Sequence, residues 1–266
     1  MFPGATADRS QASYAVVGAP LDASTTFRPG TRFGPRRVRH FSEPFDDYDH
    51  RTDRHFTDLA VHDHGDVGAA GDPAEFLEFL AGTLADYRAD GVVPLTVGGE
   101  HTVTVAGLRA CQPDVYVCLD AHLDLYEEYA GDPLSHATVT SHALSHAEEV
   151  VLLGARTGSE AEWDRAEREG VTVVPPEAVA DWTADFDGTA YLSVDIDAAD
   201  PGFAPGTGTP EPFGLHPREM RDVVRAVAPQ SVGFDVVEVA DHDDGQAASL
   251  AAKLLREFVF AHAAGE

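Results

Sequence analysis

The sequence predicts an α/β fold in which a mostly parallel sheet is covered by helices, and three observations lead there. Apolar, β-branched runs recur near residues 13–18, 59–63, 92–97, 115–119, 149–153, 171–174, 189–194 and 231–237. Segments with helical periodicity or helix-start signals separate most of these runs, the pattern of strands joined by helical crossovers. Potential ligand side chains also cluster just after several runs, and open parallel sheets bind ligands at the carboxyl ends of their strands.

Of the helical segments, 73–89 has the clearest signature. Asp72 stands at the N-cap and Pro73 at the first helical position, followed by Phe76, Leu77, Leu80, Leu84 and Tyr87 as one apolar stripe. A second helix is predicted over about 245–262, with Leu250, Leu254, Phe258 and Val259 on its buried side. Asp241-His-Asp-Asp244 reads as its acidic start, where carboxylates favour the positive dipole end. The irregular stretches 24–35, 127–136 and 200–213 are rich in Gly, Pro or acidic residues, and long loops of this kind often wall a binding site. No internal repeat or low-complexity linker is visible, and residues 1–266 fit a single domain.

Forty-six acidic against eighteen basic residues give a formal net charge of −28, and Lys253 is the only lysine. Such a surface repels nucleic acid and anionic membranes. Its self-repulsion weakens a fold at ordinary ionic strength, whereas molar salt screens charges to within about 3 Å. A halophilic protein of a salt-rich cytoplasm is therefore expected. Cys111 and Cys118 offer no disulfide framework, and Cys118 falls inside a predicted buried strand, where a small apolar side chain suits the packing. No apolar run approaches the roughly 18 residues of a membrane span, and the first residues lack the apolar region of a secretory signal. These features lead to the expectation of a soluble cytoplasmic protein.

The chemistry concentrates in Asp120-Ala-His122-Leu-Asp124 and Asp195-Ile-Asp197, which follow the apolar stretches 115–119 and 190–194. Side chains at alternate positions of an extended segment share a face, so each run presents its ligands together at a strand's C-terminal end. His101 follows another such strand, with Gly98 and Gly99 allowing the backbone to turn tightly, and is the natural sixth ligand. A lone Asp-x-Asp after a strand is commonly a solvated turn. Three strand-end clusters in the same context instead point to one binuclear metal site. An oxygen-rich, thiol-free set with two imidazoles suits two Mn²⁺ per chain better than structural zinc.

The segments GGEHTVT, DAHLDLY, SHAT and SVDIDAADPGFAPGTGTPEP resemble, in order and spacing, the motifs of the ureohydrolase family of arginases and agmatinases. STTFRPGTRFGP at 24–35, LLGARTGSEAEW at 152–163 and VEVA at 237–240 extend the resemblance over nearly the whole chain. SHAT looks most like the archaeal branch, in keeping with a haloarchaeal source. The resemblance implies the arginase/deacetylase-like fold, a three-layer α/β/α structure with a central, mainly parallel eight-stranded sheet, and a homotrimer or homohexamer. It implies that His101, Asp120, Asp124 and Asp195 bind one manganese, and Asp120, His122, Asp195 and Asp197 the other. The reaction would be hydrolysis of a small guanidino substrate by a hydroxide held between the metals. Glu238 resembles the glutamate that pairs with the guanidinium, Asp124 is the candidate proton shuttle to the departing nitrogen, and His136 would relay protons or contact substrate.

Arginases carry an HGxP element after the DAHxD run, where this chain has DLYEEYAGDPLSHATVT. Glu127, Glu128 and Asp132 in that segment favour a second cationic end. Agmatine, cleaved to putrescine and urea, ranks first, followed by aminopropylagmatine, guanidinobutyrate with Arg28 or Arg32 as a carboxylate anchor, and arginine. A non-catalytic metal-binding homologue and a deacetylase-type amidohydrolase with one zinc are the competing readings. His62, His64, His142 and His146 are left outside the site. Arg156 fits either a family position or an interior ion pair.

Overall fold

Each apolar run read as a strand forms one, and in the six inner strands the β-branched and aromatic side chains are largely buried between two helical layers, whereas the two edge strands are more exposed. The computed structural model describes residues 1–68, 71–240 and 242–265, so Asp241 lies outside the described residues. In chain order the strands are β1 (Tyr14–Ala19), β2 (Tyr48–Asp49), β3 (Arg54–His55), β4 (Val61–Asp66), β5 (Val93–Gly98), β6 (Val115–Leu119), β7 (Glu149–Leu153), β8 (Thr172–Val174), β9 (Ala190–Asp195) and β10 (Ser231–Val237). Eight of them build one sheet in the order β4-β1-β5-β10-β9-β6-β7-β8, with each neighbouring pair parallel. Strands β2 and β3 form a separate antiparallel hairpin, too short and polar to show an apolar pattern in the sequence.

Helices α1 (Gly34–Phe41), α6 (Pro217–Val227) and α7 (Gln246–Gly265) cover one face of the sheet. Helices α2 (Pro73–Ala89), α3 (Thr104–Cys111), α4 (Val139–Ala143) and α5 (Glu160–Glu169) cover the other. Alternation within the strands feeds both layers: Val115, Val117 and Leu119 of β6 pack on the first side, and Tyr116 and Cys118 on the second. The result is the expected three-layer α/β/α architecture. Asp72 caps α2 by accepting from the amides of Ala74 and Glu75, and the whole Phe76–Tyr87 stripe is buried. In α7, Leu254, Phe258 and Val259 are buried, while Leu250 is only half-buried at the margin of the core. Among the described residues no helix is long and apolar enough to cross a membrane.

One detail of this frame matters for the site and another for stability. Strands β5, β10, β9 and β6 are consecutive in the sheet, so their carboxyl ends open side by side. Strand β4 forms an edge, and its histidines and aspartates sit where polar side chains discourage further strand pairing. Asp63 on β4 holds Arg39 of α1 in a two-oxygen ion pair, with Arg39 Nη2 2.8 Å from Oδ1 and Nε 2.9 Å from Oδ2.

Candidate active site

The four central strand ends bring the candidate residues together. His101 follows β5, Asp120, His122 and Asp124 follow β6, Asp195 and Asp197 close β9, and Glu238 follows β10. With His136, all of these except Asp120 line one cavity of about 310 Å³, and Asp120 lies buried beneath it.

Asp120 presents one oxygen to each of two imidazoles: Oδ2 is 3.2 Å from His101 Nδ1 and Oδ1 is 3.5 Å from His122 Nδ1. Asp124 Oδ2 and Asp195 Oδ2 also face His101 Nδ1, at 2.8 and 3.7 Å. Asp197 Oδ2 lies 3.1 Å from His122 Nδ1. Two groups of side chains thus converge, each on one imidazole nitrogen, and Asp120 belongs to both.

The backbone holds these carboxylates in place. Asp120 Oδ1 accepts from the His122 amide at 2.7 Å, Asp195 Oδ1 from the Asp197 amide at 2.8 Å, and Asp197 Oδ1 from the Ala121 amide at 3.1 Å. Asp124 and Glu238 adopt φ of 49° and 60°, a left-handed conformation that costs a non-glycine residue about 1 kcal/mol or more and collects at functional sites.

Burial pushes the Glu238 carboxyl up to about 8, and burial beside Asp120 pushes Asp124 up to about 7. Asp195, buried and facing Asp197, Asp120 and Glu238, is raised well above the usual carboxylate range. Burial opposes charge on His122, but Asp197 and Asp120 outweigh it and push the imidazole up to about 12. Among the described residues neither Lys nor Arg lines the cavity. A buried carboxylate cluster short of positive charge, with imidazole nitrogens turned into it, fits divalent cations of oxygen-preferring type.

The opposite nitrogen of His101 explains its orientation. Nε2 lies 3.3 Å from Ser193 Oγ, 3.4 Å from Tyr116 Oη and 3.8 Å from Cys118 Sγ. Ser193 donates to Asp235 Oδ1 at 2.6 Å and Tyr191 to Oδ2 at 2.8 Å. With its own proton directed to Asp235, Ser193 can accept from Nε2, an arrangement that would leave Nδ1 free to ligate a metal once one is bound among the carboxylates. Cys118, read from the sequence as apolar filling, therefore sits under the site. Its Sγ is 4.0 Å from Asp120 Oδ2, and burial pushes the thiol up to about 11, which keeps it neutral.

His136 is placed by the 22–26 segment. Ser24 Oγ lies 3.0 Å from His136 Nδ1 and accepts from the His136 amide at 2.9 Å. Fully buried Glu100 in turn accepts from the Ser24 amide at 2.7 Å, from Ser24 Oγ at 2.9 Å and from Thr102 Oγ1 at 2.7 Å. Glu100, Ser193 and Asp235 are functional neighbours that no strand-end ligand pattern singles out in the sequence. A buried carboxylate with no Lys or Arg nearby in sequence was the available signal.

His62, His64, His142 and His146, left outside the site from the sequence, do not line the cavity. Among the described residues Arg156 forms no ion pair; its guanidinium donates to backbone carbonyls, including Asp197 O at 2.9 Å and Glu211 O at 2.7 Å, and ties the β9 end to the 200–213 loop. Helix α4 stops at Ala143, so His142 and His146 do not share a helix face, and His142 Nε2 lies 2.8 Å from Pro133 O. His62 and His64 face Ala7 O and Tyr87 Oη, each at 2.9 Å. Glu127, Glu128 and Asp132 are exposed and do not line the cavity, nor do Arg28 and Arg32. Arg32 reaches Asp22 Oδ2 at 3.7 Å, and Arg28 lies over Phe27.

Comparison with known proteins adds lineage to this geometry. The Arginase family model matches residues 12–261. An agmatinase of Halalkalibacterium halodurans is 35% identical over 260 residues, covering 92% of this chain and 90% of the relative. An N(1)-aminopropylagmatine ureohydrolase of Thermococcus kodakarensis is 32% identical over 256 residues, covering 92% of this chain and 89% of the relative. The solved structure of an agmatine ureohydrolase of Thermoplasma volcanium matches with a TM-score of 0.93 at 29% identity, covering 99% of this chain and 94% of that one.

Proposed function

The chain belongs to the arginase family, and on that premise we propose that it hydrolyses a linear guanidino compound, with agmatine, cleaved to putrescine and urea, as the leading substrate. The observation that carries this reading is Asp120 set between two imidazoles, one oxygen toward each, with a separate set of carboxylates around each nitrogen. We assign one Mn²⁺ to His101, Asp120, Asp124 and Asp195 and a second to Asp120, His122, Asp195 and Asp197. When bound, two such cations supply Lewis acidity and a water nucleophile at neutral pH.

The remaining work falls to side chains of this protein. Glu238, one oxygen oriented by the His101 amide at 2.7 Å, receives the guanidinium through charge-assisted hydrogen bonds and fixes it over the acids. That bound cation also compensates a carboxylate that burial otherwise disfavours. Asp124 carries the proton of the attacking water to the departing nitrogen. His136, fixed by Ser24, relays protons at the cavity wall or contacts the substrate.

Absence of Lys and Arg from the cavity lining favours agmatine and aminopropylagmatine over guanidinobutyrate and arginine, whose carboxylates require a cationic anchor. The net charge of −28 supports a halophilic, cytoplasmic setting, haloarchaeal in our reading, with residues 1–266 acting as one ureohydrolase domain in a homotrimer or homohexamer. Urea release from the four guanidines, measured with added Mn²⁺ in molar KCl, tests the reading. Agmatine or aminopropylagmatine is expected to be cleaved best. A folded, manganese-loaded protein that releases no urea from any of them would be a non-catalytic homologue instead.

A further inference from the structure

Resting on that functional reading, the geometry points to Tyr126 and Tyr129 as the residues that select the substrate's distal cationic end. The metal-site acids and Glu238 engage the guanidinium, a group every candidate substrate shares. Discrimination among guanidines therefore falls to the rest of the wall, where two tyrosines stand among smaller, mostly polar residues such as Thr26, Thr157, Ser159 and Thr209. Tyr126 and Tyr129 both line it, with ring centroids 5.4 Å apart and planes 65° apart. Tyr129 continues against His136 at 5.8 Å and 62°. Both tyrosines are half-buried, and a cation is attracted to the face of such a ring.

Hydrogen bonds fix the backbone that carries both rings. Tyr129 exchanges two hydrogen bonds with Asp132, at 2.9 and 3.0 Å, across a tight turn whose central residues Ala130 and Gly131 have φ of 52° and 84°. Such turns prefer Asn-Gly, and alanine in the first position is strained, so this turn is imposed by its surroundings rather than by local preference. Tyr126 donates its amide to Ala137 O at 3.2 Å and accepts from Ser141 Oγ at 2.7 Å through its carbonyl. A preorganised wall of this kind binds without first ordering a loop.

The acid on this wall is already engaged by the protein. Glu162 lines the cavity, but its carboxylate takes the Ser159 amide and Oγ, both at 2.9 Å, and the Leu125 amide at 3.2 Å, and so serves the cap of α5. A distal primary or secondary ammonium thus meets aromatic faces in a cavity of negative sign, whereas a distal carboxylate meets no cation.

The test compares agmatine with n-pentylguanidine, in which a methyl group replaces the amine. Both are measured on the same protein, so any loss of folded fraction cancels in the ratio of their kcat/KM values. Tyr129→Leu and Tyr126→Leu are expected to reduce the preference for agmatine by about 3- to 30-fold, mainly through KM, while Tyr129→Phe retains it. Calorimetric Kd values for the same pair should shift in parallel. Equal losses for both guanidines in the leucine variants, or a loss in Tyr129→Phe as large as in Tyr129→Leu, would overturn the assignment. If the unaltered protein released no urea from either compound, the functional reading would fail and the calorimetric ratio would decide the role of the tyrosines.

Discussion

Glu238 accepts the backbone amide of His101 at 2.7 Å, so the carboxylate positioned for a guanidinium and the imidazole positioned for a metal are tied to one another across β10 and β5. A glutamine at 238 can keep accepting that amide while losing its charge. Glu238→Gln is therefore expected to retain metal and to lose about 100-fold in kcat/KM, chiefly by weaker substrate binding, because hydrogen bonds to a charged group are worth about 1.5–3 kcal/mol. Metal content and steady-state kinetics on the same preparation measure both. Wild-type kinetics in this variant would remove Glu238 from the guanidinium site.

Asp235 reaches His101 through Ser193, with links of 2.6 and 3.3 Å. Asp235→Asn should leave all six proposed ligands in place yet weaken manganese binding by about 10- to 100-fold, the usual cost of releasing a ligating histidine from its supporting hydrogen bond. Competition titration with a chelator reads the affinity. An unchanged affinity would show that the network does not hold the imidazole.

Acid stability should report on Arg39 and Asp63, away from the site. Burial alone would raise the Asp63 carboxyl, but hydrogen bonding and charge from Arg39, with the Gly65 and Phe2 amides, hold it below the usual carboxylate range. A carboxyl depressed on folding contributes stability that is present above its unfolded pKa of about 3.9 and is lost as pH falls through the folded value. Asp63→Asn should thus flatten the loss of stability below about pH 4. At neutral pH it should cost about 2 kcal/mol, less than breaking an isolated buried pair because Arg39 retains Asp66. Denaturant titrations from pH 3 to 7 distinguish this from a variant whose acid profile parallels the parent.

Much of the frame was legible because its signals are local. The sequence places β6, β7 and β10 at their observed bounds and α2 at Pro73–Ala89, since apolar runs flanked by polar segments and an Asp-Pro start are short-range features. The six proposed ligands were readable for the same reason: alternate positions at a strand end share a face whatever the rest of the chain does. Less legible were features set by tertiary contacts. Ala130-Gly131 gives no strong turn signal, so nothing local in the sequence marks Tyr129 as a cavity residue rather than the acids beside it. Asp235 and Ser193 look like ordinary strand residues until β9 and β10 pair in register and bring them together. Arg156 looks like an ion-pair partner until the 200–213 loop folds back to offer carbonyls.

The central proposal is that Asp120 bridges two metal ions, and anomalous diffraction from manganese-soaked crystals tests it most directly. Two peaks are expected on either side of the Asp120 carboxylate, one among His101, Asp124 and Asp195 and the other among His122, Asp195 and Asp197. A single peak, or a tetrahedral ion that draws Cys118 into its coordination, would contradict the binuclear site.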